Sequence, residues 1–147
     1  MEGKSQNIYR NARLTAGFTQ ARWAEMLGVS ESAVRQYEAG EILPADDIVL
    51  SMADFSGLQI LGTWHLRRKS AVASSLLPAV ERLPLAQAVV QLLSAIRDFE
   101  AAHDADALLR ISADGRVAPD EEERFRAVVR DLRPLIAAAM QIDFAER

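Results

Sequence analysis

Residues 19–40 read TQARWAEMLGVSESAVRQYEAG, from Thr19 to Gly40. Their spacing predicts two short helices around a tight turn. Gln20 to Leu27 form the first helix, Gly28-Val29-Ser30 the turn, and Glu31 to Glu38 the second helix, closed by Gly40. Gly28 supplies the left-handed backbone that stops a helix. Ser30 can accept from the unpaired amides that open the next one. Trp23, Ala24 and Leu27 share one face of the first helix, with Val29 in the turn and Ala33, Val34 and Tyr37 on one face of the second. Small Ala24 lets the two helices approach closely. The opposite face of the second helix carries Glu31, Ser32, Arg35 and Gln36, polar groups that a core does not need. Two helices joined by a short glycine-containing turn outline a helix-turn-helix.

Around this stretch, Arg13, Gly17, Thr19-Gln20, Ala24, Leu27-Gly28-Val29-Ser30, Val34, Tyr37-Glu38, Gly40 and Pro44 resemble the Cro/CI-type (XRE) pattern of the lambda-repressor-like fold. The resemblance spans residues 5–69 and departs from the family at Trp23, where leucine is usual; the indole enlarges the core. It implies a five-helix head that binds double-stranded DNA. Thr19 and Gln20 then open the first motif helix at the DNA, with Gln20 on a phosphate. Ser30, Glu31, Ser32 and Gln36 fall where the family's recognition helix meets the major groove. The chemistry suits that role: Gln36 can pair with adenine, Glu31 can accept from the cytosine amino group, and Ser32 can bond to several base edges. Arg35 can reach a phosphate, and Ser30 also serves as the helix cap. The matching Arg13 and Glu38 imply a partly buried ion pair tying the first helix to the recognition helix.

Composition bounds the rest. The chain has 147 residues, half of them hydrophobic, with no cysteine and a net charge of −4. That length suits one domain or two small ones. Without cysteine there are no disulfides and no thiolate ligands or nucleophiles, as expected of a cytoplasmic protein. The segment MEGKSQNIYR has no apolar leader core, and no run is long enough to predict a membrane span. Residues 1–69 carry 8 basic and 8 acidic side chains, whereas residues 70–147 carry 9 and 13. A neutral head gains little from phosphate attraction, so its grip on DNA should depend on pairing two heads.

Taken in order, Ser5 to Ala16 is expected as the first helix, capped by Ser5, with Ile8, Tyr9 and Ala12 inward. Ala45 to Phe55 and Leu58 to Leu66 complete the five. The run Arg67-Arg68-Lys69 marks either a solvated helix end or a phosphate-contacting tether. Beyond it, a long amphipathic helix is expected from Pro84 to His103, a shorter one from Asp104 to Ile111, and a last one from Pro119 to Ala145. Pro134 should kink or split that last helix. Asp114-Gly115 and Glu121 imitate half of a calcium loop, but Arg110 then occupies the first carboxylate position. His65 and His103 are far apart in sequence, lack a second ligand at metal spacing, and are expected at surfaces or interfaces. No nucleophile elbow, phosphate loop or carboxylate pair stands out, so neither an enzyme nor a cofactor is expected.

The expectation is therefore an all-α protein: a helix-turn-helix DNA-binding domain over residues 5–69 and a helical C-terminal domain over 70–147 that dimerises. As the resemblance implies, it would be a bacterial or phage-type transcriptional regulator acting as a homodimer on a pseudo-palindromic operator. The alternative is a protein-interaction module, such as an antitoxin or anti-repressor, with weak DNA affinity of its own.

Overall fold

The computed structural model describes residues 7–146, and every named element among them is helical. Backbone contacts divide the chain after Leu77 into two compact units. None of the described helices is long and apolar enough to cross a membrane.

The first unit contains α1 (Ile8–Ala16), α2 (Gln20–Leu27), α3 (Glu31–Ala39), α4 (Asp46–Ser56), α5 (Ile60–Lys69) and α6 (Ala71–Leu76). α1 packs on α3, α4 and α5, and α2 packs on α3 and α4. Tyr9, Ala12, Trp23, Val34, Val49, Met52, Ile60 and Leu61 are buried where these helices meet. Each large apolar side chain so buried stabilises by roughly 1.5–3 kcal/mol. Trp23 stacks on Phe18 at 5.8 Å and meets Phe55 edge-on at 6.2 Å. Its indole N–H lies buried without an acceptor among the described residues.

Helix α1 begins at Ile8. Asn7 caps it by accepting from the Tyr9 and Arg10 amides, and its own amide donates to the Tyr37 carbonyl at 2.7 Å. The cap expected at Ser5 lies outside the described residues. Asn7 thus opens α1 and fastens it to the end of α3 with a single side chain.

His65, expected at a surface or an interface, is instead buried inside the first unit, only 2% exposed. Its Nε2 lies 3.0 Å from Asp46 Oδ1 and its Nδ1 lies 2.8 Å from Tyr9 Oη. A carboxylate can only accept, so Nε2 carries the proton and Nδ1 accepts from the tyrosine. Burial pushes the Tyr9 phenol above its ordinary value despite the opposing charge of Arg68. Lys69 and then His65 hold the exposed Asp46 carboxyl below its ordinary value. This relay joins α1, α4 and α5, and its polar atoms make a buried histidine tolerable.

The basic run ends α5, yet the compact unit continues through α6, which packs on α5. Arg67 donates to the carbonyls of Ser74 and Leu77, satisfying the end of α6.

The second unit contains α7 (Leu85–Ala101), α8 (Asp104–Ile111) and α9 (Glu122–Asp143). The start of α7 meets the end of α9: Leu85 N–H donates to the Glu146 carbonyl at 3.3 Å, and Glu146 N–H to the Leu83 carbonyl at 2.9 Å. The two long helices therefore run antiparallel. Ala88, Val128 and Ala138 are buried, small enough to bring the backbones close. Asp104 is fully buried, with Arg124 Nη2 2.9 Å from its Oδ1 and neither oxygen in a well-aligned hydrogen bond. The last helix begins at Glu122, three residues later than Pro119, because Pro119 to Glu121 form a turn. There the Glu121 carboxylate accepts from the Ala118 amide at 3.0 Å. Pro134 does not split α9, which continues on both sides of it.

Candidate nucleic-acid interface

The turn between α2 and α3 is built from local hydrogen bonds. Thr19 Oγ1 accepts from the Arg22 amide at 3.2 Å and caps α2. Gly28 sits in the left-handed region at φ 67°, where a side chain would be strained. Its N–H donates to the Glu25 carbonyl and that of Val29 to the Ala24 carbonyl, the paired bonds of a Schellman stop. Two residues later Ser30 Oγ accepts from the Ala33 amide at 3.0 Å and opens α3. Stop and start follow each other so closely that the angle between the helices is fixed by backbone geometry.

That angle presents one side of α3 outward. Val34 and Tyr37 are buried beneath it, while Glu31, Ser32 and Arg35 are exposed and Gln36 is half-buried. Among the described residues no hydrogen bond holds the side chains of Ser32 or Gln36. Glu31 and Arg35 pair across one turn at 2.7 Å with both side chains about half exposed. In water such a pair contributes a few tenths of a kcal/mol. The pair also leaves the Glu31 and Arg35 part of this face without net charge.

Beneath this face lies an ion cluster. Arg13 Nε is 2.5 Å from Glu38 Oε1 and Nη2 is 3.0 Å from Oε2, a two-pronged pair with side chains 10% and 7% exposed. Arg13 Nη1 also donates to the Phe18 carbonyl at 2.8 Å. Gln20 Nε2 donates to Glu38 Oε2 at 2.9 Å, which turns the amide inward while leaving it a second N–H. Burial pushes the Glu38 carboxyl up, but the hydrogen bonds from Arg13 and Gln20 and the charges of Arg13 and Arg10 outweigh it, leaving it below its ordinary value. One carboxylate thus ties α1, α2 and α3 together.

The structure brings Thr19, Gln20, Ser30, Glu31, Ser32, Arg35 and Gln36 together on the α2 and α3 segment, with Arg13 and Glu38 below them. Sequence reasoning missed Arg10, an exposed cation one turn before Arg13 whose charge reaches Glu38. Only the helical spacing of residues 10 and 13 hinted at it.

Residues 10–60 match the family model described as a helix-turn-helix domain. That match points to the helix-turn-helix class of DNA-binding proteins and to transcription regulation. Comparisons with curated proteins and with solved structures give no significant match.

Proposed function

We propose that this chain is a sequence-specific transcriptional regulator of the Cro/CI type, working in the cytoplasm as a homodimer on a pseudo-palindromic operator. Residues 5–69 are the DNA-binding domain, with α6 as its extension, and the second unit joins two copies. The single observation that carries the reading is the outer face of α3, polar, exposed and excused from packing beside a rigid turn. In this reading α3 lies in the major groove. Gln36 pairs with adenine, Glu31 accepts from cytosine, Ser32 and Ser30 reach neighbouring base edges, and Arg35 lies on a phosphate. Thr19, Gln20 and Arg10 hold the backbone, where the spare Gln20 N–H and the unpaired amides of the α2 start face a phosphate. Exposed Leu85, Val90, Leu93 and Ile136 on α7 and α9 support a second copy as partner. Two heads so joined would place their half-sites about 34–36 Å apart.

The test is selection from random duplex DNA, then titration of the recovered site at two salt concentrations. Recovery of an inverted repeat whose binding weakens with salt is expected. Equal, weak retention of every fragment would sink the reading. That outcome would favour the second one, an antitoxin-like or anti-repressor interaction module, which the balanced charge of residues 1–69 and the engagement of Arg35 by Glu31 support.

A further inference from the structure

From sequence alone, the basic run Arg67-Arg68-Lys69 is either a solvated helix end or a contact to phosphate. The structure gives its three members different surroundings. Arg67 donates to the carbonyls that end α6, and Lys69 pairs with Asp46 at 2.6 Å. Arg68 is exposed, and no hydrogen bond or ion pair holds its guanidinium among the described residues. The same division runs through the first unit. Arg13 is taken by Glu38, Arg22 by Glu25 and Arg35 by Glu31. Among the described residues of this unit, only the Arg10 and Arg68 side chains have neither a hydrogen bond nor an ion pair.

Those two cations stand around one place, the end of α3. The charge of Arg10 reaches Glu38, in the last turn of that helix. Asn7 lies beside both. Its oxygen accepts from the Arg10 amide, and its nitrogen donates to the Tyr37 carbonyl. A methyl carbon added at Gly40 would lie 4.0 Å from that same nitrogen and 4.0 Å from Arg68 Nη2. Arg68 does not cap α3, because the carbonyls there have other donors. That of Gln36 accepts from the Glu41 amide, and that of Tyr37 from the Gly40 amide and Asn7. Exposed Glu41, next in the chain, pairs with neither arginine. Two guanidinium forks, each shaped to grip an oxyanion with two N–H groups, are left free beside one helix end.

A separate observation supplies the kind of oxyanion. The helix-turn-helix match points to duplex DNA; it covers Arg10 and α3 and stops short of Arg68. A recognition helix meets base edges with its N-terminal residues. Its other end leaves the groove, where a sugar–phosphate strand passes. We propose, on the reading that α3 enters the major groove, that Arg68 together with Arg10 grips the phosphates beyond the end of α3. One anchor of the reading helix then lies in α5, outside the helix-turn-helix itself.

The full chain is titrated with its selected operator and with random duplex over a range of salt concentrations. Arg68→Ala should weaken both duplexes by the same factor at low salt. It should also flatten the slope of log affinity against log salt by about 0.9 for each chain bound. Arg10→Ala should do the same, and Arg68→Lys should keep the slope. Both arginines are exposed, so helix content should stay native in every variant. Lys69→Ala removes an equal charge one residue away, from a side chain already paired, and should leave the slope unchanged. A native slope in Arg68→Ala, or an equal drop in Lys69→Ala, overturns the phosphate grip while selective binding keeps the reading of α3. The expected drop on random duplex with no operator recovered keeps the grip and removes the base contacts. Binding to anionic lipid vesicles and to no duplex overturns both.

Discussion

At the scale of single residues, Glu38 carries the most consequence. Its carboxyl is held below the ordinary value in the folded chain, so the unfolded chain binds more protons as the medium turns acid. The stability it contributes is fully present above the ordinary carboxylate pKa. It is lost as pH falls through the depressed folded value. Glu38→Gln should cost about 3–5 kcal/mol at neutral pH, since it leaves the Arg13 charge buried and unmatched. The variant should also lose stability less steeply than the native chain on acidification, which urea titrations at several pH values would reveal; parallel curves would show that Glu38 is not the responsible group. Gln36 raises the matching question for recognition. Gln36→Ala should leave stability unchanged and relax preference at one base pair by about 1–3 kcal/mol, measured by competition between operator variants. Gln20→Ala should weaken binding to all sequences alike, and because Gln20 also supports Glu38, its thermal midpoint should be recorded beside its affinity.

At the scale of elements, the turn between α2 and α3 rests on one left-handed residue. A methyl group added at Gly28 meets nothing within 4 Å, so the only penalty for alanine there is backbone strain. Gly28→Ala should therefore cost about 1–2 kcal/mol, read from chemical denaturation, with DNA affinity restored once the chain is folded. A much larger loss would mean that the turn must move when the protein acts. Pro134 makes the opposite prediction within α9. Pro134→Ala restores an N–H to the helix and should stabilise the second unit, by up to about 3 kcal/mol. No gain in the calorimetric midpoint would show that the surrounding chain already satisfies the Arg130 carbonyl.

At the scale of the whole molecule, the two units invite separation. A fragment ending at Leu77 keeps the Arg67 bonds that close α6, whereas one ending at Ser70 discards them. The longer fragment should fold and sediment as a monomer while the full chain sediments as a dimer; a dimeric fragment would move the contact into the first unit. How far the chain can be read from its residues alone follows the same division. The α2–α3 turn was legible because Thr19, Gly28, Ser30 and Gly40 act on neighbours within a few positions. Asp104 to Ile111 was legible because a long apolar stripe broke there. His65 was not, since its burial arises from α1 and α4 meeting α5, and nothing adjacent in sequence encodes Tyr9 or Asp46 as partners. The start of α9 was misplaced because Pro119 suits a helix opening and a turn equally. Even Gln20, readable as a position, hid its direction, because the carboxylate that turns it lies 18 residues on.

Trp23, buried and stacked in the first unit, has one further use. The only other tryptophan in the chain is Trp64, on α5 of that same unit. Intrinsic fluorescence is therefore a signal from one half of the protein, while circular dichroism sums both. Where the two melting curves part company, the halves come undone separately, and no label need be attached to see it.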